Sequence, residues 1–168
     1  MIVRALKVFF ILFIMLWGSA VLAKGENLGL GFIVGDPTGL SLKVWQDRTH
    51  AVDVGLGWNT QHDESFHLHA DYLIHDFSIF KLKPGAGRMP FYYGIGGVIA
   101  KEDYYDYYNR AFYYHNDTRV GVRIPVGISY LFAGNPLEFF AELAPRLDLT
   151  PSSDFTVDAA LGMRFYFK

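Results

Sequence analysis

The chain from Leu28 onward alternates apolar and polar residues with a period of two, and no segment shows the 3.6-residue period of an amphipathic helix. Clusters of Gly, Pro, Asn, Asp and Ser separate the alternating segments. The pattern predicts eight β-strands, over 28–34, 40–46, 50–58, 66–75, 91–99, 119–131, 137–149 and 155–167. No change of composition marks a second domain, so residues 24–168 are expected to form one all-β domain.

The two faces of the predicted strands differ in chemistry. One face carries mostly large apolar residues and no Asp, Glu, Lys or Arg. The opposite face carries every charged residue of the predicted strands: Lys43, Asp53, Asp71, Arg119, Arg123, Glu138, Glu142, Arg146, Asp148, Asp158 and Arg164. Nine of the 17 glycines share this charged face: Gly29, Gly31, Gly55, Gly57, Gly94, Gly96, Gly121, Gly127 and Gly162.

Side-chain volume indicates which face is inside. The interior of an eight-stranded barrel is just wide enough for side chains to fill it. A soluble lipocalin-like barrel would place the large apolar residues inside, where they would overfill this space. Glycines on the charged face leave room there. We therefore predict an eight-stranded antiparallel up-and-down transmembrane β-barrel, with its charged face inside and its apolar face against lipid.

Residues 1–23 are predicted to be a signal peptide. Arg4 and Lys7 precede an apolar run over 8–17, and small residues lead to Ala23. The apolar run is about half the length of the ~20 residues that a membrane-spanning helix needs, which disfavours the alternative of an uncleaved anchor. The mature chain, residues 24–168, is expected to be exported.

Composition excludes several classes of function. The formal net charge of −2 offers no basic surface for nucleic acid, and the absence of Cys excludes disulfides and thiolate metal or redox chemistry. Glycine-rich segments lie within predicted strands rather than between a strand and a helix, so nucleotide binding is not indicated. We expect no cofactor.

The C-terminal segment Ala160-Leu-Gly162-Met-Arg-Phe165-Tyr-Phe167 resembles the ending of small eight-stranded outer-membrane β-barrels of Gram-negative-type bacteria. Those proteins end in a polar-x-Gly-x-x-apolar-x-aromatic signal that the barrel-assembly machinery reads. The match is at Gly162, Phe165 and Phe167; Ala160 replaces the polar residue, and Lys168 is extra. The resemblance implies an outer-membrane location, with outer-membrane lipid and the assembly machinery as partners.

Three further segments, 34–41, 67–76 and 92–97, look like a functionally uncharacterised group of outer-membrane barrels. That group supplies no catalytic residues to carry over. With a periplasmic N-terminus, the outer loops are predicted over 35–39, 59–65, 100–118 and 150–154. The periplasmic connections are then 47–49, 76–90 and 132–136.

Loop 100–118 is the candidate surface for an extracellular ligand, because tyrosine gives large contact area at low entropic cost. Alternatively, the neighbouring strands extend beyond the membrane and their tyrosines form an interfacial girdle. Six of the eleven tyrosines lie here: Tyr104, Tyr105, Tyr107, Tyr108, Tyr113 and Tyr114.

The near-balanced charges of the interior face favour a plug of ion pairs, since buried charges must be paired, and a narrow pore is the alternative. His67, His69 and Asp71 have donor atoms suitable for zinc. A hairpin closing at 59–65 instead places His67 opposite Gly57 and His69 opposite Gly55, which favours packing of the rings into glycine gaps. The same register sets Asp53 against Asp71, a like-charge pair that needs a proton or a cation.

An enzyme is the other alternative, because some small outer-membrane barrels modify lipid A. The deacylases carry a lipid-facing His-x-Ser pair, which this sequence lacks, and the adjacent His62 and Asp63 of an outer loop are weak candidates. The sequence therefore predicts a non-enzymatic outer-membrane barrel with a structural or surface-binding role.

Overall fold

The computed structural model describes residues 27–58, 64–108 and 111–167, with side chains at all of these except 64, 65 and 102–117. The predicted signal peptide, residues 1–23, lies outside the described residues. Within the described residues, no helix is long and apolar enough to cross a membrane.

The described residues form nine β-strands, all paired antiparallel. Their bounds are β1 Leu28–Gly35, β2 Thr38–Trp45, β3 His50–Trp58, β4 Glu64–Asp76, β5 Phe91–Tyr108, β6 Ala111–Arg123, β7 Val126–Leu131, β8 Leu137–Thr150 and β9 Asp154–Phe167.

The sheet closes on itself. Strands β1 to β5 pair in sequence order, β8 pairs with β9, and β9 returns to β1. Both β6 and β7 lie between β5 and β8 and pair with each of them. Among the described residues, every strand therefore has a neighbour on both sides over at least part of its length, and the ring of strands is closed.

The prediction of eight strands needs correction, because the predicted strand 119–131 is interrupted and becomes β6 and β7. The interruption falls at Ile124 and Pro125. Proline has no backbone N–H to donate to a ladder. Its carbonyl still accepts from the Gly94 N–H at 2.9 Å, so the chain continues beside β5 although regular pairing stops.

For most of the segment 100–118, the structure has the alternative in which the neighbouring strands extend, rather than a long loop. Strands β5 and β6 stay in register from Gly96 opposite Arg123 to Tyr108 opposite Ala111. Pairing of β5 with β4 ends at Glu102, and pairing of β6 with β8 ends at Val120. The remainder is a two-stranded ribbon that extends about 20 Å beyond its neighbours at ~3.4 Å per residue. Tyrosine and phenylalanine favour strands, which explains the extended backbone.

The connections divide between the two ends of the sheet. We call the end that carries the β5–β6 ribbon the hairpin end; the turns at 36–37 and 151–153 lie there. The opposite end carries the turns at 46–49, 77–90 and 132–136. Backbone N–H groups of Thr49 and His50 donate to the Asp47 carboxylate in the first of these turns and lower its pKa to about 2.

The long connection 77–90 is partly an extension of the sheet. Arg88 and Leu131 exchange backbone hydrogen bonds of 2.9 and 2.7 Å, and Ser129 N–H donates to the Pro90 carbonyl at 3.0 Å. The Tyr130 hydroxyl donates to the Ala86 carbonyl. These contacts fix the second half of the connection against β7, which accounts for its length.

Charged side chains lie inside the closed sheet and large apolar side chains lie on its outer surface, the reverse of the usual arrangement in a soluble protein. Most charged strand side chains are buried, whereas large apolar side chains such as Phe32, Ile95 and Leu161 are 62–64% exposed. Among the described side chains, Ile33, Leu73, Tyr92 and Phe140 form a small apolar cluster in the interior.

Glycines on the interior face make room for neighbouring side chains. The His69 ring occupies the place of a Gly55 side chain, and the Phe140 ring does the same at Gly162. A Cβ atom at Gly96 would meet the Asp71 carboxylate and the Ala70 carbonyl. These positions are closed to larger residues by packing rather than by backbone angles.

We expect Gly96→Ala to lower the free energy of unfolding by about 1–3 kcal/mol, because the added methyl group overpacks the interior. Gly97→Ala is the matched control, since the nearest atom to its Cβ would be the Gly121 carbonyl oxygen at 3.9 Å. Urea unfolding in lipid vesicles, followed by tryptophan fluorescence, measures both. Equal effects of the two variants would contradict the packing argument.

Candidate functional site

The charged interior face is the most distinctive feature of the structure. Ten of the eleven charged residues predicted for this face are buried; the Arg119 side chain, near the hairpin end, is 25% exposed. They come from six different strands, so strand pairing around the closed sheet brings them together.

Lys43 and Glu138 form a fully buried ion pair toward the opposite end. Lys43 Nζ lies 2.8 Å from Glu138 Oε1 and 2.9 Å from His75 Nε2. The Tyr166 hydroxyl donates to the second Glu138 oxygen, and Trp45 Nε1–H donates to the Tyr166 oxygen at 3.0 Å. The buried carboxylate is therefore satisfied on both oxygens.

Arg164 occupies the next level. Its Nη2 donates to Asp53 Oδ2 at 2.6 Å, and its Nε donates to Ser41 Oγ at 2.7 Å. Its guanidinium carbon lies 3.8 Å from the centroid of the Phe140 ring. Arginine suits such a site because its planar group combines ion pairing with stacking on an aromatic face.

Arg123 lies at the centre of three carboxylates. Its guanidinium nitrogens lie 2.5 Å from Glu142, 3.3 Å from Asp71 and 3.6 Å from Asp158. The Tyr92 hydroxyl also donates to Glu142 at 3.0 Å. One arginine thus balances carboxylates from β4, β8 and β9 and connects opposite sides of the sheet.

The charges continue toward the hairpin end. Arg146 lies 3.6 Å from Asp158 and 3.2 Å from Asp148. Arg119 lies 3.3 Å from Asp148 and 3.5 Å from Asp154. The ion pairs form two groups in the interior, one around Arg164 with Lys43 and the other from Arg123 to Arg119. Tyr92 lies between them, because its ring is 5.5 Å from Lys43 Nζ and its hydroxyl donates to Glu142.

The register predicted for strands three and four is present. Asp53 pairs with Asp71, Gly55 with His69 and Gly57 with His67. Each member of the like-charge pair has an arginine beside it, since Arg164 contacts Asp53 and Arg123 contacts Asp71.

His67 and His69 are buried, with their ring centroids 5.3 Å apart. His69 Nε2 lies 3.9 Å from Asp71 Oδ2. Among the described residues, no group of three or more His, Asp or Glu side chains is arranged to hold a metal ion. The Arg123 contact with Asp71 adds positive charge that opposes cation binding.

A small cavity lies within the charged interior. A cavity of about 10 Å³ lies among Asp53, His69, Arg123, Glu142 and Asp158. That volume is close to the minimum that one water molecule needs. A larger cavity of about 450 Å³ opens at the opposite end, next to Trp45, Arg88 and Tyr166.

The sequence interpretation missed four residues that contact the buried charges: Ser41, Trp45, Tyr92 and Tyr166. Strand alternation places all four on the charged face, so the signal was present in the sequence. Which charge each would contact depends on the closure of the sheet, since Tyr166 on β9 meets Trp45 on β2.

The other candidate residues lie at the hairpin and on β9. Tyr105 pairs with Tyr114 along the ribbon, and the tyrosine side chains there lie outside the described part of the chain. Phe165 and Phe167 are 46% and 45% exposed, with ring centroids 5.5 Å apart, whereas Gly162 faces the interior beside Phe140.

The fold is similar to the N-terminal β-barrel domain of OprF from Pseudomonas aeruginosa. The structural match has a TM-score of 0.58 and 17% sequence identity, and covers 86% of this chain and 100% of that domain. No family model and no curated protein sequence matches the chain. The similarity supports a β-barrel fold.

We expect Arg123→Met to lower the free energy of unfolding by about 3–5 kcal/mol, because it leaves Asp71 and Glu142 buried with their main cationic partner removed. Arg119→Met is the control and should cost no more than about 1 kcal/mol, because its ion pairs are partly exposed. Urea unfolding in lipid vesicles measures both. A small effect at position 123 would show that the network contributes little to stability.

Proposed function

We propose that this protein is an integral outer-membrane β-barrel with a structural and surface-binding role, whose interior is plugged by paired charges. The observation that carries the proposal is the exposure of large apolar side chains around a closed sheet with a charged interior. In water such a surface would cost free energy at every strand, whereas lipid makes it favourable.

The exposed apolar side chains occur on strands all around the sheet. They include Phe32 on β1, Leu40 on β2, Ile95 on β5, Leu143 on β8 and Leu161 on β9. Ordinary soluble monomers expose no apolar patch larger than a few hundred Å². A continuous band around the molecule therefore favours a lipid environment over a partner protein on one side.

The outer membrane is the membrane that fits a closed antiparallel sheet. The terminal segment with Gly162, Phe165 and Phe167 supports recognition by the barrel-assembly machinery, and the apolar segment before Ala23 supports export. The similarity to the OprF barrel domain agrees with this class of fold. In the proposed topology, the hairpin end faces the cell exterior.

The ion pairs support a plug rather than a pore. Arg123 reaches carboxylates on three strands, and the cavity beside it holds about one water molecule's volume. A continuous water-filled channel would need these contacts to separate. The narrow pore is the second candidate, favoured only by the larger cavity of about 450 Å³ at the opposite end.

The β5–β6 ribbon supports surface binding. A two-stranded hairpin without further strands or packing is marginally stable in water, so a ribbon that continues past its neighbours is unusual as a purely structural element. Its six tyrosines supply contact area for a ligand. A lipid-modifying enzyme is less well supported, because His67 and His69 face the interior, away from lipid.

Protein refolded into lipid should show no steady conductance across a planar bilayer, because the charge network closes the interior. Unboiled samples should first migrate differently from boiled samples in SDS, which establishes that the barrel is folded. Arg123→Ala should then raise conductance more than Arg119→Ala, since Arg123 links three strands. Steady ohmic conductance of the unmodified protein would contradict the plug, and identical migration would contradict the barrel.

Removal of the ribbon tests surface binding. Asp103 and Asn116 are directly paired, so replacing residues 104–115 by Asn-Gly closes the hairpin with a two-residue turn. We expect unchanged heat-dependent migration and loss of binding to an immobilised panel of glycans and extracellular-matrix proteins.

A full-length variant with serine at the six tyrosines separates the role of the rings from that of the ribbon. It should lose binding as the shortened variant does. Equal binding by all three proteins, or no binding by the unmodified protein, would contradict the surface-binding role.

A further inference from the structure

We propose that the connection between β4 and β5 docks on anionic phospholipid at the membrane surface through residues 77–83. The inference rests on the proposed membrane-embedded barrel and adds a lipid-contacting site outside its strands. The segment reads Phe-Ser-Ile-Phe-Lys-Leu-Lys, and we call it the basic–apolar segment.

Apolar side chains of this segment are exposed although no strand presents them to lipid. Ile79, Phe80 and Leu82 are 53%, 38% and 37% exposed. The neighbouring turn at the same end exposes Ala133, Gly134 and Asn135 instead. Three large exposed apolar residues within four positions of a connection need a surface to cover them.

The connection is fixed at both ends, so the exposed side chains keep a defined position. The Phe77 ring lies 6.4 Å from the Trp45 ring and 5.0 Å from the Arg88 guanidinium. Asp76 accepts the Ser78 N–H at 2.7 Å, and the far end is bonded to Leu131 through Arg88. Because Phe77 is held against Trp45, the residues that follow it remain at the rim of the barrel.

The rim position connects the segment with the proposed lipid-facing surface. The strands that enter and leave the connection expose Tyr72 and Tyr93, which are 38% and 46% exposed. Tyrosine is enriched where a membrane meets water. The basic–apolar segment therefore continues the exposed apolar face of β4 and β5 past the end of the strands.

Charge identifies the partner as an anionic lipid surface. Residues 77–90 contain three basic residues, Lys81, Lys83 and Arg88, and no acidic residue. Lys81 and Lys83 are exposed and alternate with the apolar residues. Lysine extends its apolar stem along the hydrocarbon boundary while the ammonium group contacts phosphate. Docking on a protein partner would need only the apolar side chains, and it would not require this excess of basic residues.

The absence of Cys allows single-cysteine labelling without background. We suggest Phe80→Cys with a polarity-sensitive fluorophore, in the full mature chain refolded into phosphatidylcholine vesicles with or without phosphatidylglycerol. Ile95→Cys on the exposed face of β5 reports on insertion of the barrel, and Asn135→Cys on the neighbouring turn reports on a water-exposed position. Both leaflets have one composition, so the direction of insertion does not affect the result.

We expect emission at position 80 to shift to shorter wavelength when phosphatidylglycerol is present, approaching that at position 95. Position 135 should emit as in water in both lipids. Combining Lys81→Gln and Lys83→Gln with Phe80→Cys should abolish the shift. Lys101→Gln, which removes an exposed lysine at the hairpin end, should leave it unchanged.

The controls separate the two proposals. Apolar emission at position 95 with aqueous emission at position 80 in both lipids overturns the docking site alone. Aqueous emission at position 95 overturns the membrane barrel itself. A shift at position 80 that is equal in both lipids, or that survives the double lysine substitution, overturns the role of anionic headgroups.

Discussion

Pairing of charges inside a narrow closed sheet is the constraint on which the structure depends. A buried charged side chain without a partner costs several kcal/mol, and ten charged side chains are buried among the described residues. Each must meet its partner from another strand, so the strand register and the closure of the sheet become consequences of charge pairing. Arg123, which contacts carboxylates of β4, β8 and β9, shows this dependence most directly.

The constraint also explains the glycines. Several interior side chains fit because a neighbouring glycine contributes no side-chain volume. Gly55 faces the His69 ring, Gly96 faces Asp71, and Gly162 faces Phe140. A register slip of one residue would reverse the faces of a strand, placing its charges outside and its large apolar residues inside. Interior packing and the proposed lipid environment therefore select the same register.

The two ends of the sheet are built differently. At the hairpin end the chain leaves the sheet as a tyrosine-rich ribbon of six residue pairs, from Asp103 opposite Asn116 to Tyr108 opposite Ala111. At the opposite end the 77–90 connection folds back onto β7 and keeps its first half at the rim. The proposed surface-binding role and the proposed lipid docking thus belong to opposite ends of one barrel.

The strands and the interior face were predictable from the pattern of residue types along the chain. The alternation of residue types identified the strands, the interior face and the Asp53–Asp71, Gly55–His69 and Gly57–His67 pairs, because a two-residue period and the predicted hairpin at 59–65 determine them. The interruption at Pro125 was missed because period-two alternation continues through it. For the β5–β6 ribbon the sequence left a loop and an extension of the strands as alternatives, because its Asp, Asn and Lys residues weaken the strand pattern.

The sequence by itself determined which residues face the interior, since that depends only on neighbours along one strand. Tertiary structure decided which charges meet. Arg123 on β6 contacts Asp158 on β9, and Trp45 on β2 contacts Tyr166 on β9. These contacts lie across the closed interior, and their distances depend on the closure and strand stagger of the whole sheet, which no local pattern encodes.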